Sequence, residues 1–306
     1  MNYDLLIIGA GPAGFSASIY ASRYKIKHAI IGEITGGLMA EAHKVCNFPS
    51  EVEINGFDLA MKMKAHVDSF GTETIAQKVT AVEKAADHFV VKTAGGKEFT
   101  AKTILLATGT IHRHLDLADE GRLRGKGISY CATCDAMFFK NKVTAVIGGG
   151  NSALTAALYL AEVAEKVYLI VRKDQFKGEV VWIDSVRSNP KIEVIFNTNV
   201  VGLEGTEKLE AIKLSQPYQG SDALAVSGLF IEIGSHPDTS WLEALSLEVD
   251  GAGYLKVKGD QATNRVGVWA AGDITNGSNG LHQIVTACSE GAVAAAGIFQ
   301  YLQQNK

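Results

Sequence analysis

Proline is scarce in this chain of 306 residues, with five against thirty-two glycines. Glycine in such excess points to many places where the backbone comes close to something. Cysteine is also rare. The four present, Cys46, Cys131, Cys134 and Cys288, are too few for a disulfide scaffold at this length, and only Cys131 and Cys134 are close in sequence. There is no basic excess: 29 Lys and Arg face 33 Asp and Glu, a net charge of −4, which argues against a general nucleic-acid binder. Long hydrophobic runs are missing too. The longest apolar-leaning stretch, Ile284–Leu302, carries Glu290 and Gln300 and reads as a buried helix, so no membrane contact is expected. The start, MNYDLLIIGAG, has no basic segment and runs straight into a glycine turn, so it is not read as a signal peptide. A cytoplasmic protein is the default. What remains is the balance of a soluble globular chain, 47% hydrophobic and 20% charged, long enough for about two domains.

Two segments look alike. Leu5–Ile8 runs into Gly9-Ala10-Gly11-Pro12-Ala13-Gly14, and Val143–Ile147 runs into Gly148-Gly149-Gly150-Asn151-Ser152-Ala153. Each reads as a short buried strand, a glycine turn and a helix. Ala13, Ala17, Tyr20 and Ala21, and later Ala153, Ala157, Leu160 and Ala161, share the spacing i, i+4, i+7, i+8 of one helix face. Apolar strands follow at His28–Ile31 and Val167–Val171. Two βαβ units result, each opening a candidate dinucleotide-binding domain. Further strand-like runs lie at Glu73–Val82, Phe89–Thr93, Glu98–Ala101, Thr103–Ala107, Ile192–Phe196, Leu209–Leu214 and Leu229–Ile233, and a long helix at Gln283–Gln304. Polar stretches at Ile111–His114 and Pro237–Ala244 are candidate hinges.

The first glycine motif is GxGxxG between strand and helix. Gly9 allows the tight turn, Gly11 lets backbone approach a pyrophosphate, and Gly14 lets helix pack on strand. The helix N-terminus offers free N–H groups and partial positive charge, and Pro12 costs nothing there. Glu33, at the end of the second strand, stands where a ribose-binding acid belongs. The second motif is GxGxxA. Its following strand ends without an acid and with Arg172, Lys173 and Lys177, cations that suit a 2′-phosphate and so NADPH over NADH. Cys131-Ala132-Thr133-Cys134 is a CxxC. A zinc site would need two more ligands that no pattern supplies, so a redox pair is expected and a metal is not. Asp135, directly after it, can give and take the proton that thiol–disulfide exchange demands. Cys46 and Cys288 read as small buried hydrophobes. Near the end, Gly267–Asp273 is an apolar strand closing in Gly272-Asp273, where a carboxylate can bond a ribityl hydroxyl and the next helix can face the pyrimidine end of a flavin.

Taken together, GAGPAG at Gly9–Gly14, Asn47-Phe48-Pro49, Ala107-Thr108-Gly109, CATCD at Cys131–Asp135, GGGNSA at Gly148–Ala153, IGSHP at Ile233–Pro237 and AAGD at Ala270–Asp273 resemble thioredoxin reductase of the low-molecular-weight type, through nearly the whole chain. The resemblance implies an α/β fold of two Rossmann-like three-layer domains, the second inserted into the first. An FAD domain would comprise residues 1–111 and 245–306, and an NADPH domain bearing the CxxC residues 112–244. It implies FAD contacts at Gly9, Gly11, Pro12, Ala13, Gly14, Glu33, Gly37, Leu38, Asn47, Val79, Ala107, Thr108, Gly109, Gly272, Asp273, His282, Gln283 and Ile284. NADPH contacts fall at Gly148, Gly150, Asn151, Ser152, Ala153, Arg172, Lys173, Lys177, Ile233 and Gly234. The catalytic set is Cys131, Cys134 and Asp135, with Cys134 facing the flavin and Cys131 attacking a thioredoxin disulfide. A homodimer, and rotation about linkers near His112–His114 and Trp241–Ala244, are implied as well.

Four departures from the family pattern matter. Val171, Arg172, Lys173 and Lys177 stand where His-Arg-Arg and a further Arg are common, and Lys is a point charge where Arg is a planar fork. Gly36-Gly37-Leu38 replaces Gly-Gly-Gln, His282-Gln283 replaces Arg-Gln, and Ala136 replaces a Gly. The expected reaction runs from NADPH through FAD and Cys131–Cys134 to thioredoxin. The competing readings are the same fold with reduced ferredoxin or another donor, a small-molecule dithiol oxidase, and a flavin-binding redox sensor without turnover.

Overall fold

The computed structural model describes residues 2–305. The chain divides into two compact units, Met1–Ile111 with His236–Lys306, and His112–Ser235.

The first unit opens with β1 (Asn2–Ile8), the glycine turn, α1 (Pro12–Arg23) and β2 (His28–Ile31). Then come α2 (Gly56–Asp68), β3 (Glu73–Ile75), β4 (Val79–Lys84), β5 (Phe89–Thr93) and β6 (Glu98–Leu106). β1 is buried on both sides, as expected of a central parallel strand. Leu5 and Ile7 face the helix layer with Phe15, Ala17 and Ala294, while Leu6 and Ile8 face a second layer with Val82, Phe89 and Val91. The run Glu73–Val82 is not one strand. β3 pairs parallel with β2, whereas β4 pairs antiparallel with β5, so the chain must leave one layer for the other between Ile75 and Val79. Conversely, the two runs from Glu98 to Ala107 are one long strand. Its first half pairs antiparallel with β5 and its second half parallel with a later strand, which makes β6 the branch point of the sheet.

A short β7 (Ile111–His112) leaves this unit. The second unit holds α3 (Glu120–Leu123), β8 (Ile128–Ser129), α4 (Ala132–Asp135), β9 (Val143–Ile147), α5 (Asn151–Val163), β10 (Lys166–Ile170), α6 (Val180–Ser188) and β11 (Ile192–Ile195). It continues with β12 (Val200–Glu204), β13 (Ala211–Tyr218), β14 (Ser221–Ala225) and β15 (Gly228–Ile231). The parallel order is β11-β10-β9-β15-β8, and β12-β13-β14 is an antiparallel meander. The layering repeats: Val146, Leu169 and Phe230 pack with α5 and α6, and Ala145, Ile147 and Ile170 with the meander.

The return crossover, β16 (Ser235–His236), pairs with β7 as a two-stranded ribbon. β17 (Val268–Ala270) then pairs with β6, and α7 (Ile284–Gln304) closes the chain. The expected second boundary after Ala244 lies too far along. Leu242 and Leu245 are buried in the first unit's core and Trp241 packs against it, with Glu243 and Ala244 exposed between them, so this segment is anchored in the first unit. The chain passes from the first unit to the second between Ile111 and His112. Among the described residues, no helix is long and apolar enough to cross a membrane.

Candidate active site

In the first unit, Gly9 has φ +122, and a Cβ there would lie 2.1 Å from the Ala107 oxygen. A Cβ at Gly14 would lie 2.0 Å from the Gly9 oxygen. Both glycines are demanded by the fold itself. Gly11 differs: the nearest atom to a Cβ there is the Gly36 oxygen at 3.8 Å. Nothing in the protein needs Gly11 to be bare, which fits the close approach of a pyrophosphate to its backbone. No side chain caps α1, so its first-turn N–H groups stay free for an anion.

Distant segments gather around this turn. The Gly36 N–H bonds the Ala10 oxygen at 2.7 Å, and the Ala107 N–H the Ile8 oxygen at 2.7 Å. These bonds place Gly37-Leu38 and Ala107-Thr108-Gly109 against it. Gly32 approaches Ala10 closely, so Glu33 emerges past the end of β2 beside the turn, exposed. Gly272, at φ +79, packs on Ala13 and positions Asp273. Asn47 Nδ2 donates to Gln283 Oε1 at 2.9 Å, and Gln283, with Thr286, forms the capping box of α7 immediately before Ile284. Burial pushes the Asp273 carboxyl above the usual carboxylate range, with His282 opposing and Glu290 adding to the shift. His282, 4.9 Å from the Tyr254 ring, keeps a buried Nε2 without a partner. That orphaned donor or acceptor fits a polar group at this edge of the cradle. Val79 is different from the rest: its side chain is buried in the core of the first unit.

In the second unit, Gly148 has φ +141, and a Cβ there would lie 2.1 Å from the Glu232 oxygen. Around Gly150 nothing lies within 4 Å of a Cβ, and no side chain caps α5. The following loop is tied back to this turn. The Lys177 N–H bonds the Gly149 oxygen at 2.7 Å, and Asn151 exchanges two bonds with Glu179, at 2.8 and 2.7 Å. Ser152 is exposed and Ala153 buried. Arg172, Lys173 and Lys177 are exposed, and none of them enters an ion pair among the described residues. Ile233 and Gly234 follow β15, and the Gly234 oxygen accepts from the Arg113 N–H at 3.0 Å.

Between the entry crossover and β9 sits the CxxC. Cys131 and Cys134 are joined as a disulfide. Cys131 is the N-cap of α4, and its Sγ accepts the Cys134 N–H at 3.1 Å. Cys131 is half-buried and Cys134 exposed, and Asp135 ends the same short helix. Cys131 is anchored from behind. Its N–H bonds Ser129 Oγ at 3.1 Å. The preceding Tyr130 donates its hydroxyl to buried Glu120 and meets His114 Nδ1 at 2.7 Å. Burial alone raises the Glu120 carboxyl, but donors from Tyr130, Leu115 and Leu117 outweigh it and hold the carboxyl below the usual range. The other two cysteines are free. Cys46 is exposed rather than buried, because it lies in the loop that carries Asn47. For the half-buried Cys288, burial pushes the thiol up to about 11, so it is unreactive at neutral pH. No group of three or more metal-ligating side chains exists among the described residues.

The chain matches the pyridine nucleotide-disulphide oxidoreductase family over residues 3–291. The chain belongs to the thioredoxin reductases of that family. It is 36% identical over 307 residues to a thioredoxin reductase of Listeria innocua, covering 99% of this chain and 95% of the relative. It is 36% identical over 313 residues to one of Peptoclostridium acidaminophilum, covering 99% and 98%. The solved thioredoxin reductase of Lactococcus lactis superposes with a TM-score of 0.93 at 31% identity over 99% of both chains. This is a family of flavin-dependent disulfide reductases that use FAD and NADPH.

Sequence reasoning passed over two residues of the first cradle. Tyr254 lies in no motif and gives no signal. Glu290 has one: it is the acid inside the longest apolar-leaning stretch of the chain, and a buried acid in such a helix needs donors.

Proposed function

We propose that the protein is an NADPH-dependent thioredoxin reductase in which the unit built from both chain ends holds FAD and the inserted unit holds NADPH. When bound, the two nucleotides supply the electron pair that opens Cys131–Cys134. The observation that carries the reading is the disulfide itself, set on a turn of helix in the same unit as the second glycine turn.

The chain's own residues bind the nucleotides and carry out the exchange. Gly9–Gly14 and the N-terminus of α1 bind a pyrophosphate, Glu33 a ribose, and Asp273 a ribityl hydroxyl. Gly148–Ala153 bind the second pyrophosphate, with Arg172, Lys173 and Lys177 on the 2′-phosphate. Once the disulfide is opened, the Cys134 N–H directed at Cys131 Sγ favours its thiolate, which suits Cys131 for attack on the partner disulfide. Its sulfur bonds to one partner sulfur and the other leaves as a thiolate. Cys134 then attacks the mixed disulfide, closing Cys131–Cys134 and releasing the reduced partner. Asp135 holds and returns the proton. Met137 and Phe138, just beyond, are 60% and 72% exposed and supply an apolar landing for a protein substrate. The partner is thioredoxin or a thioredoxin-like protein, the site of action the cytoplasm, and the assembly a homodimer.

The test is turnover of NADPH with thioredoxin and a thiol reagent. Thioredoxin-dependent consumption of NADPH is expected. A flavinated protein that consumes no NADPH with any thioredoxin contradicts the reading.

A further inference from the structure

Glu290 lies on α7, only 5% exposed, and no cation pairs with it among the described residues. A buried carboxylate without a counter-charge costs several kcal/mol unless hydrogen bonds replace its water. Here three do. Oε2 accepts the Gly272 N–H at 2.8 Å and the Thr275 hydroxyl at 3.0 Å, and Oε1 accepts the Ser278 hydroxyl at 2.5 Å. All three donors belong to the single loop between β17 and α7. A Cβ at Gly277 would lie 2.6 Å from Oε1, so the loop wraps directly onto the carboxylate. The loop also needs holding. Ser278 and Asn279 both have positive φ, at +50 and +55, a region that residues other than glycine seldom adopt.

We propose that Glu290 is a positioning residue of the flavin site, whose carboxylate holds the 272–278 loop so that Asp273 faces the cofactor. This rests on the reading of the first unit as the flavin unit. Glu290 does not touch the cofactor in this account; it acts through the Gly272 N–H and the two hydroxyls. A neutral amide keeps the size of the group and can keep its oxygen on the Gly272 N–H and the Thr275 hydroxyl while its NH2 donates to Ser278 Oγ, but three bonds to a charged acceptor become neutral ones, which are weaker.

The experiment measures flavin release from the purified holoenzyme, by the rise of flavin fluorescence, at a temperature well below unfolding, with far-ultraviolet circular dichroism recorded on the same samples. Glu290→Gln is expected to release flavin about three- to tenfold faster than the parent, the factor that loss of charge assistance across these bonds carries. Glu290→Ala is expected to release it faster still, and both to retain the parent's circular dichroism. NADPH binding is expected to stay unchanged, because no residue of the second unit bonds to Glu290. Flavin release at the parent rate in Glu290→Gln overturns the proposal, even if its melting temperature is lower, since that is what a merely structural residue would show. If Glu290→Ala does not fold, Glu290→Gln alone decides. A parent protein that binds no FAD would overturn the reading of the unit itself, an outcome visible before any variant is made.

Discussion

At Gly9 and at Gly148 the chain makes the same turn, with φ +122 and +141, and a Cβ at either would lie 2.1 Å from a carbonyl oxygen of a neighbouring segment. The second glycine of each turn is free of any such clash within the protein. The two regions differ at the third position and at the strand end. Gly14 is obligatory, because a Cβ would lie 2.0 Å from the Gly9 oxygen, whereas the second unit accommodates Ala153. β2 is followed by Glu33 and β10 by Arg172, Lys173 and Lys177. The first turn is also backed by α7, packed so closely that a Cβ at Gly291 would meet the Ala13 oxygen at 2.1 Å. The second instead carries a loop clasped by Asn151 and Glu179. The shared geometry is what the proposal of a pyrophosphate at each turn rests on. The strand-end charge is what the proposed choice of nucleotide for each unit rests on.

The largest effect belongs to the residues outside both turns. Cys131→Ser and Cys134→Ser are each expected to abolish thioredoxin reduction while the protein stays fully flavinated. Flavin content by absorbance decides the matter, and loss of flavin in either variant would break the separation of roles. Next come the paired second glycines. Gly11→Val is expected to fold, since its Cβ has room, but to purify without flavin. Gly150→Val is expected to stay yellow and to lose its response to NADPH. Circular dichroism, flavin content and NADPH turnover on both variants test the pair, and a yellow Gly11→Val with stoichiometric flavin would contradict the assignment.

The strand-end comparison is sharpened by Arg172→Ala. A charge-assisted hydrogen bond contributes about 1.5–3 kcal/mol, so KM for NADPH is expected to rise roughly tenfold or more while that for NADH hardly moves. Equal movement of both constants would return Arg172 to a solvated surface role. The smallest expected effect is pH-dependent and confined to the first unit. Burial lowers the His28 pKa below its ordinary 6.5, partly opposed by the Ile26 carbonyl. Its ring is held neutral between that carbonyl, at 2.8 Å, and Ser18 Oγ, at 2.9 Å. With the folded value depressed, the unfolded chain binds the proton first as pH falls below 6.5. The stability contributed by this group is present above that pH and lost as pH falls toward the folded value. His28→Gln is expected to flatten the fall of melting temperature between neutral pH and mild acid. An unchanged slope would remove His28 from the account.

Much of this comparison was legible in residues 1–35 and 143–177. Short apolar runs ending in glycine turns have few alternatives, and the CxxC between them is local. What was not legible depends on partners far along the chain. The break between β3 and β4 follows from which strand each pairs with, not from the residues at 76–78. The fusion of two expected strands into β6 has the same cause, as one strand changes partners along its length. The second boundary was misplaced because Trp241–Ala244 looks like a polar connector with apolar residues in it, and only the fold shows those residues joining Val79 and Val82. Val79 was carried over from the family pattern, yet its side chain faces the core. Glu290 was visible as an acid in an apolar helix, but its three donors lie 12 to 18 residues earlier, in a loop with no periodicity to read.

The measurement that bears most directly on the division of labour is an anaerobic titration of the flavinated protein with NADPH and, separately, with NADH, following the visible flavin band. The account predicts that NADPH bleaches the flavin near stoichiometry and that NADH does so only at higher concentration, because the cations Arg172 and Lys173, and no acid, stand at the end of β10, ahead of Asp174. Bleaching by NADH at equal or lower concentration, or no bleaching by either nucleotide, would contradict it.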